Sequence, residues 1–480
     1  MISENNYFAN QLSPLHQSAQ YFLSCAAIKT NGITLSYFQV SQLVLSIGAQ
    51  LTQYGLREGS RLGVVSANNL EMILLYWACI DLGILYCPIS YRFPAQQIDS
   101  LFKSYRISHY WSSTPQVGIH SSCPLKINFK EPDSKFDALF NGVDIYYKPA
   151  NIIFTSGSSG TPKAAVHSLK NHIASAKGSA KVIPLNIGDN WLLSLPLFHI
   201  GGLAILNRCV LAGACVVIKN DNCDLASQLM EDKISHVSMV ATQLLRLLNE
   251  NAESLNGLKA LLLGGGAISN DLIMKLKGLN IPAFTSYGMT EMSSQITTGY
   301  ATGDGSSGKL LVGRQLKIRD DIIWVKGNVL FCGYLQADGT WFLEKDGEGW
   351  FCTKDCGYWN EHGNLQITGR SDNMFVCGGE NLQPEEVENA LRLHSDIEET
   401  IVFPIKDNEF GLLPAAIIKI KNGELPNIES IENLFLKHIA RFKRPRRYYL
   451  WPSNIEQAGL KINRKQIIDI VVGTACFQEC

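Results

Sequence analysis

The sequence predicts an α/β fold. It indicates a large N-terminal domain of helix-covered, mostly parallel sheets with a small antiparallel subdomain, and a small α+β C-terminal domain. Apolar patterns typical of helices and of strands alternate from residue 37 to residue 263, as they do in parallel sheets covered by helices. Short strand patterns separated by Gly, Asp and Asn dominate from Lys309 to Ile367, which indicates the antiparallel subdomain. A compact helix-and-strand pattern follows Asp372.

The period of the apolar residues predicts the individual elements. Helical spacing is found at Tyr37–Tyr54, Leu70–Leu82, Thr242–Asn249, Pro384–Leu393 and Ile428–Ala440. Short apolar runs predict strands at Arg61–Ser66, Asn151–Phe154, Trp191–Leu195, Cys215–Lys219, His236–Val240 and Leu258–Leu263. The most hydrophobic stretch, residues 72–89, contains Asp81 and Gly83, so a buried helix running into a strand explains it better than a membrane span. We expect domains at residues 1–371 and 372–480.

Composition excludes several classes of partner. A formal net charge of −1 over 480 residues gives no global field that would attract nucleic acid or an anionic membrane. The 13 cysteines show no paired framework, which is typical of a reducing cytosol. No signal peptide is visible in the first ten residues. We therefore expect a cytoplasmic protein without stable membrane insertion, and the sequence leaves self-association open.

One loop has the composition of a phosphate site. It directly follows the strand pattern at Asn151–Phe154 and comprises Thr155, Ser156, Gly157, Ser158, Ser159, Gly160, Thr161, Pro162 and Lys163. Glycines let backbone N–H groups approach an anion, and hydroxyls and a lysine complete the cradle. The loop is not the common nucleotide P-loop, because Ala164 stands where that motif requires a hydroxyl. The alternative interpretation is a Ser/Gly-rich surface linker.

Five further segments follow this loop in sequence order. They are Leu195–Leu203 (LPLFHIGGL), Leu263–Ile268 (LGGGAI), Tyr287–Glu291 (YGMTE), Gly349–Asp355 (GWFCTKD), and Thr368–Asp372 (TGRSD) with Cys377–Asn381 (CGGEN). Together and in this order they closely resemble the adenylate-forming superfamily of acyl-CoA synthetases, peptide-synthetase adenylation domains and luciferases. The resemblance covers nearly the whole chain and its two-domain layout.

The resemblance implies a reaction in which a carboxylate attacks the α-phosphorus of ATP, so that two anions must meet. It implies ATP, Mg²⁺ and CoA as cofactors or co-substrates. The loop from Thr155 to Lys163 would then hold the β- and γ-phosphates, Thr290 the α-phosphate, and Glu291 the Mg²⁺ ion. The remaining nucleotide contacts implied are Asp355 with Arg370 at the ribose and Gly265 with Ala267 at the adenine. Tyr287 and Gly288 are further nucleotide-binding residues. Without the other motifs, Glu291 would be interpreted as a solvent-exposed acidic residue in a turn, and Asp355 as a turn residue.

Further roles are implied for His199 and for the C-terminal domain. The histidine matching His199 closes over the acyl pocket and helps admit the thiol, whereas a lone histidine in an apolar segment is more often a packed core residue. Lys461 matches the catalytic lysine of adenylation, although Leu460 stands where the family usually has glycine; Lys465 is the competing candidate. Asp372 aligns with the hinge that would rotate a mobile C-terminal domain and bring in the loop Gly378, Gly379 and Glu380 for the thioester step.

Longer matches resemble one branch, the o-succinylbenzoate–CoA ligases of menaquinone biosynthesis. They include Lys163–His167 (KAAVH), Trp191–His199 (WLLSLPLFH), Gly378–Val387 (GGENLQPEEV) and Gly459–Ile462 (GLKI). That substrate carries a second carboxylate that stays charged, so a cation should line the acyl pocket. Arg208 is the one charge between Gly201 and Ala214 and matches the position assigned to that carboxylate. The alternative is an arginine at a helix end that serves packing or solvation.

The expected activity is an ATP-dependent ligation of 2-succinylbenzoate to CoA, with AMP and pyrophosphate as the other products. The partners are then a small carboxylic acid, ATP and CoA, with no nucleic acid. Another aryl- or acyl-CoA ligase is the nearest alternative, and it would not need Arg208. A stand-alone adenylation enzyme that loads a carrier protein and a non-catalytic binding protein are alternatives of other classes. The exact acid stays open at this point.

Overall fold

The structure is a computed structural model that describes residues 12–116, 118–130, 145–155, 162–265, 268–377, 380–407, 411–421, 427–439, 441–453, 464–472 and 478–479. The described chain divides into two compact units. The first comprises residues Met1–Leu316 and Val325–Phe351, and the second Lys317–Trp324 and Cys352–Cys480. This division by packing does not test the hinge expected at Asp372, which concerns rotation and stays a prediction.

Twelve α-helices lie among the described residues. They are α1 (Pro14–Tyr21), α2 (Tyr37–Gln53), α3 (Leu70–Leu82), α4 (Ala95–Ser104), α5 (Leu169–Ser179), α6 (Ile200–Ala212), α7 (Leu225–Glu231), α8 (Ala241–Asn251), α9 (Asn270–Gly278), α10 (Pro384–Leu391), α11 (Ile428–His438) and α12 (Arg464–Val471). Short 3₁₀ turns occur at Ala252–Leu255, Thr290–Met292 and Arg441–Lys443.

Two large sheets form the first unit. The nine-stranded sheet has the order β15 (Lys309–Leu310), β14 (Ser294–Tyr300), β13 (Ala283–Met289), β12 (Ala260–Leu263), β11 (His236–Met239), β9 (Asn190–Leu193), β10 (Cys215–Ile218), β1 (Ala26–Thr30) and β2 (Ile33–Ser36). The eight-stranded sheet has the order β19 (Trp341–Phe342), β18 (Gly333–Leu335), β8 (Lys163–Ser168), β7 (Pro149–Thr155), β4 (Leu85–Ile89), β3 (Arg61–Val65), β5 (His109–Ser112) and β6 (Cys123–Pro124).

The remaining sheets are smaller. A four-stranded sheet has the order β16 (Arg314–Arg319), β17 (Ile322–Gly327), β20 (Phe351–Trp359) and β21 (Leu365–Arg370). β22 (Phe375–Cys377) pairs with β23 (Glu380–Leu382). The last sheet has the order β24 (Ile397–Asp407), β25 (Gly411–Ile420), β26 (Arg447–Leu450) and β27 (Gln478–Glu479).

The predicted fold class is confirmed. In the nine-stranded sheet, β13, β12, β11, β9, β10 and β1 pair in parallel, and the antiparallel strands lie at its edges. The hydrophobic stretch at residues 72–89 folds as the buried helix α3 followed by β4, as expected. Asn69 caps the start of α3 by accepting a hydrogen bond from Met72 N, and Gly83 ends it in the left-handed conformation. Among the described residues, no helix combines the length and apolar character that crossing a bilayer requires.

The topology gathers loops at one edge of the nine-stranded sheet. The carboxyl ends of adjacent parallel strands β9, β11, β12 and β13 meet there, and ligands in such sheets bind beyond that edge. The buried side of the sheet is mostly aliphatic, with Leu192, Leu261 and Leu263 fully enclosed. The segments after β9, β12 and β13 are those that the sequence analysis assigned to the site.

Candidate active site

The two ends of the predicted phosphate loop face each other on an antiparallel hairpin. Thr155 at the end of β7 pairs in register with Lys163 at the start of β8, and its hydroxyl donates to the Lys163 carbonyl at 3.5 Å. The hairpin therefore places the Lys163 side chain beside the entry of the loop. The other predicted residues of this loop lie outside the described residues; they are Ser156, Gly157, Ser158, Ser159, Gly160 and Thr161.

A second hairpin presents the Tyr287–Glu291 segment. β13 and β14 pair antiparallel, and their register shifts between Tyr287 and Gly288. A Cβ atom at Gly288 would lie 2.0 Å from the Ser294 carbonyl oxygen, so only glycine allows the strands to approach this closely. Thr290 and Glu291 form the turn that follows.

Tyr334 connects the two hairpins. Its hydroxyl donates to Glu291 Oε1 at 2.5 Å, and Lys163 Nζ lies 5.0 Å from the centroid of its ring. The Glu291 backbone is fixed as well, because its carbonyl accepts a hydrogen bond from Phe331 N at 2.8 Å. The structure thus brings the predicted phosphate lysine to the ring face and the predicted metal ligand to the hydroxyl of one tyrosine side chain.

The donor set at Glu291 fits Mg²⁺. Among the described residues no group of three His, Cys, Asp or Glu side chains converges on a metal position. Mg²⁺ is commonly held by one or two carboxylates together with substrate phosphates and water, rather than by an all-protein cage. A single carboxylate next to a lysine of a phosphate loop is therefore the arrangement expected for a cation that arrives with ATP.

A buried histidine holds the Thr290 backbone. His167 Nε2 lies 2.7 Å from the Thr290 carbonyl, so this nitrogen carries the proton and donates. Asn151 Nδ2 lies 3.5 Å from His167 Nδ1, and its Oδ1 lies 2.5 Å from His172 Nε2. Burial lowers the pKa of His167 to about 4 and that of His172 well below its usual range. Both rings are neutral at pH 7 and serve as fixed hydrogen-bonding groups.

His199 lies at the start of α6, where the chain leaves β9. The Asn68 side chain holds this turn: its Oδ1 accepts from Leu197 N at 2.8 Å and its Nδ2 donates to the Leu195 carbonyl at 2.8 Å. A Cβ at Gly202 would lie 2.2 Å from the Pro196 carbonyl oxygen, so glycine permits the tight entry into the helix. His199 is half-buried and occupies the N-cap position of α6.

Arg208 lies inside α6 and not at its end. It is nine residues after His199, which is about 13 Å along a helix axis. Its side chain is 5% exposed. One terminal nitrogen donates to Gln295 Oε1 at 2.6 Å, and the guanidinium lies 5.2 Å from the centre of the Trp191 ring. Within the part of the chain that the structure describes, its Nε has no hydrogen-bond partner. Gln295 is paired in register with Gly288, so Arg208 reaches the back of the Tyr287–Glu291 hairpin.

A second buried arginine contacts the same glutamine. Arg314 is also 5% exposed, and its Nε donates to the Gln295 backbone carbonyl at 2.9 Å. Burial lowers the pKa of Arg208 to about 10, and burial followed by the nearby Arg208 charge lowers that of Arg314 to about 9. Neither of these residues, which we call the arginine pair, has a carboxylate of the described chain within ion-pair distance. This is an unusual arrangement, because buried charges are normally paired.

The predicted base-binding segment follows β12. Gly265 adopts the left-handed conformation (φ 85°) two residues after the strand ends, and Gly264 lies beside Ser286 of β13. Tyr287 continues that neighbouring strand and is largely buried. Gly265 and Tyr287 therefore flank the same edge of the sheet. Ala267 lies outside the described residues.

The second unit carries its own cluster. Asp355 and Arg370 are register partners on β20 and β21, and Arg370 donates to Asp355 Oδ1 at 2.8 Å. The same guanidinium donates to both carboxylate oxygens of Asp372 at 2.8 and 2.9 Å. These hydrogen bonds from Arg370 lower the pKa of Asp372.

The predicted residues of the thioester step and the catalytic lysine lie further along the second unit. Glu380 begins β23, whereas Gly378, Gly379 and Lys461 lie outside the described residues. The competing Lys465 lies in α12.

Sequence reasoning missed three residues of this site: Tyr334, Gln295 and Arg314. Gln295 is 87 residues from Arg208, and Tyr334 is 43 residues from Glu291, so no local period connects them. His167 ends the KAAVH motif, and nothing in that motif predicts its contact with Thr290. The only local signal was the Gly333–Tyr334 pair ending a short strand-like run.

A family model described as "AMP-binding enzyme" matches residues 15–335. The chain belongs to this family. It is 35% identical over 446 residues to 2-succinylbenzoate–CoA ligase of Haemophilus influenzae, covering 92% of this chain and 93% of that protein. The Escherichia coli enzyme of the same name is 31% identical over 92% of this chain and 94% of its own length.

The chain is also similar to solved structures of o-succinylbenzoate–CoA synthetases. A single-residue variant of Escherichia coli MenE with bound OSB-AMS superposes with a TM-score of 0.84 at 29% identity, covering 98% of this chain and 99% of that one. o-Succinylbenzoate coenzyme A synthetase (MenE) from Bacillus subtilis in complex with ATP and magnesium ion superposes with a TM-score of 0.85 at 25% identity, covering 95% and 98%. The similarity to this family includes both compact units.

Proposed function

We propose that this AMP-binding enzyme is an ATP-dependent acid–thiol ligase that converts 2-succinylbenzoate and CoA into 2-succinylbenzoyl-CoA, AMP and pyrophosphate, in menaquinone biosynthesis. The reaction passes through an acyl-adenylate. ATP, Mg²⁺ and CoA are its cofactors and co-substrates. The named relatives at 30% identity or more and the bound ligands of the similar structures support this assignment.

One observation of this chain favours a dicarboxylate over other acids: the buried arginine pair without a carboxylate partner. A second carboxylate that stays ionised needs a desolvated cation with free donors, and Arg208 Nε points to no acceptor. We assign Arg208 to this carboxylate. A fatty acid offers no charge to this position, and leaving the pair uncompensated would be costly.

The nucleotide roles are those that the family resemblance implies, and the hairpin geometry supports the roles of Lys163 and Glu291. Lys163, with the loop that begins at Thr155, holds the outer phosphates, and Thr290 faces the α-phosphate on a turn fixed by His167. When bound, Mg²⁺ neutralises phosphate charge, and Glu291 holds it. Gly265, Tyr287 and Gly288 border the base, and Asp355 with Arg370 binds the ribose hydroxyls. These groups together stabilise the charge that develops as the carboxylate oxygen bonds to the α-phosphorus and pyrophosphate leaves.

The second step uses other groups. The CoA sulfur bonds to the acyl carbonyl carbon, the bond from that carbon to the phosphate oxygen breaks, and AMP leaves with the bonding electron pair while the thiol proton passes to water. His199 at the mouth of α6 governs access of the thiol. Lys461 serves adenylation and the loop Gly378–Glu380 serves the thioester step, with Asp372 as the hinge between the two arrangements. The partners are small molecules, and we expect the enzyme in the cytoplasm, in keeping with free cysteines throughout the described chain.

The test is pyrophosphate release and acyl-CoA formation with Mg²⁺-ATP, CoA and a panel of acids, for the wild type and Arg208→Ala. We expect 2-succinylbenzoate to be preferred, and Arg208→Ala to lower its kcat/KM about 100-fold, since hydrogen bonds to a charged group contribute about 1.5–3 kcal/mol each. Monocarboxylates should be used equally by both proteins. A wild-type preference for phenylacetate or a fatty acid would move the assignment to another acyl-CoA ligase. Transfer to a phosphopantetheinyl protein but not to CoA would indicate a carrier-loading enzyme.

A further inference from the structure

Tyr334 contacts both charged side chains at the phosphate end of the site. Its hydroxyl donates to Glu291 Oε1 at 2.5 Å, while Lys163 Nζ lies 5.0 Å from its ring centroid. The two contacts use different parts of the side chain, the polar tip and the aromatic face. A tyrosine is the one residue type that offers a hydroxyl donor and a π-face together at this reach.

The local structure fixes this side chain. Tyr334 is paired with Ala165 on the neighbouring strand β8, two residues beyond Lys163. The Phe331 ring packs edge-on against the tyrosine ring, with centroids 4.9 Å apart. Gly333 has φ 138°, and a Cβ there would lie 2.7 Å from the Phe342 backbone, so the residue before Tyr334 must be glycine. The position of the ring is therefore set by the sheet and not by a ligand.

Lysine and glutamate carry opposite charges and attract each other; here Glu291 is buried and Lys163 is exposed to solvent. Among the described residues, however, neither Lys163 nor Glu291 takes part in an ion pair. The Lys163 ammonium group instead lies over the tyrosine ring, and the tyrosine hydroxyl donates to one carboxylate oxygen of Glu291. In a direct ion pair, neither the Lys163 charge nor the Glu291 charge would be available to bind Mg²⁺-ATP.

We propose that Tyr334 is a positioning residue that keeps Lys163 and Glu291 apart and correctly oriented, so that Mg²⁺-ATP enters between two charges that are already in place. The inference rests on the proposed roles of Lys163 and Glu291. Tyr334 itself transfers nothing in the reaction. Its effect is preorganisation, because the site does not have to break an internal ion pair before it binds the nucleotide.

Tyr334→Phe removes the hydroxyl and keeps the ring. We expect ATP binding, measured by calorimetry without acid or CoA, to weaken about tenfold in the presence of Mg²⁺ and to change less than twofold in its absence. Tyr334→Leu removes both contacts and should weaken binding under both conditions. Because the acid pocket is not touched, the affinity for 2-succinylbenzoate should stay within twofold of the wild type in both variants.

Tyr37→Phe is the matched control. Its hydroxyl donates to the carbonyls of Cys209 and Ala214 in the core, so its loss should lower the melting temperature and leave ATP binding unchanged. Wild-type ATP affinity and Mg²⁺ dependence in Tyr334→Phe would overturn the inference. A double variant tests whether Tyr334 acts through Glu291. In a Glu291→Gln background, Tyr334→Phe should not weaken Mg²⁺-dependent ATP binding any further. A further tenfold loss in that background would contradict an effect of Tyr334 through Glu291. Failure of the wild type to bind Mg²⁺-ATP would instead reject the proposed function.

Discussion

The buried pair His167 and His172 makes the stability of this protein depend on pH in a calculable way. An exposed histidine has a pKa of about 6.5. In the folded chain, burial lowers the pKa of His167 to about 4. Between these values the unfolded chain binds a proton that the folded chain does not bind. The stability contributed by neutral His167 is therefore complete above pH 6.5 and is lost as the pH falls toward 4.

The magnitude follows from the same two values. The separation of about 2.5 units corresponds to about 3 kcal/mol over the full window, and about 2 kcal/mol between pH 7 and pH 5, at 1.36 kcal/mol per unit. His167→Gln removes this titration while its amide can still donate to the Thr290 carbonyl. We expect the variant to be less stable than the wild type at pH 7, and the difference in unfolding free energy to shrink by about 2 kcal/mol at pH 5.

Urea unfolding at a series of pH values measures this difference, because urea is uncharged and leaves ionic strength constant. The transition of the first compact unit should be followed by the fluorescence of Trp77, Trp111 and Trp191, which are buried there. The comparison of two proteins cancels the titration of shared carboxylates. A difference that stays constant from pH 7 to pH 5 would show that His167 is protonated in the folded protein or exposed to solvent, and the reasoning would fail.

Two further predictions concern the second unit. Asp355→Asn should raise the KM for ATP about tenfold or more without changing the KM for the acid, because Arg370 loses a charged partner and the proposed ribose contact is weakened. Initial-rate kinetics measure both KM values. An equal effect on the two KM values would contradict the prediction. Glu388→Gln should destabilise the second unit by about 3 kcal/mol, because its buried carboxylate accepts from Arg464 at 2.5 Å and from Val402 N at 2.7 Å; calorimetric unfolding measures it, and an unchanged transition would show that the pair contributes little.

Much of the fold can be predicted from the sequence, because the spacing of apolar residues along the chain matches the residues that are buried in each helix and strand. The helix at Leu70–Leu82 was predicted to the residue, and the strands before the site loops were predicted to within two or three residues. The hairpin of β13 and β14 was not predicted. Its strands contain Gly288 and Gly299 and several hydroxyl residues, so their apolar alternation is weak, and the register shift at Tyr287 interrupts what remains. Their pairing depends on contacts that a local pattern does not record.

The candidate site also combines residues that local motifs predict with residues that only tertiary contacts bring into place. Short motifs predict Lys163, Glu291 and Arg208 as site residues, because each lies in a segment whose composition is itself informative. The residues that orient them come from elsewhere in the chain: Tyr334 from β18 and Gln295 from β14. Hydrogen bonds across such separations follow from tertiary packing, and nothing in the spacing of one sequence indicates them. The alternatives for Arg208 are the acyl pocket and a packing or solvating role at a helix end; its burial in mid-helix excludes solvation, and its role in the pocket stays a prediction.

The arginine pair also affects how the purified protein must be handled. Arg208 and Arg314 are two enclosed guanidinium groups that share Gln295, and we expect a small anion that reaches the free Arg208 Nε to bind there. An anion that binds only the folded chain stabilises it by an amount that grows with its concentration, about 2.7 kcal/mol at 100 times its dissociation constant. Melting temperatures recorded in phosphate, benzoate or chloride buffers are then not comparable with one another. The choice of buffer salt becomes an experimental variable for every stability measurement on this chain.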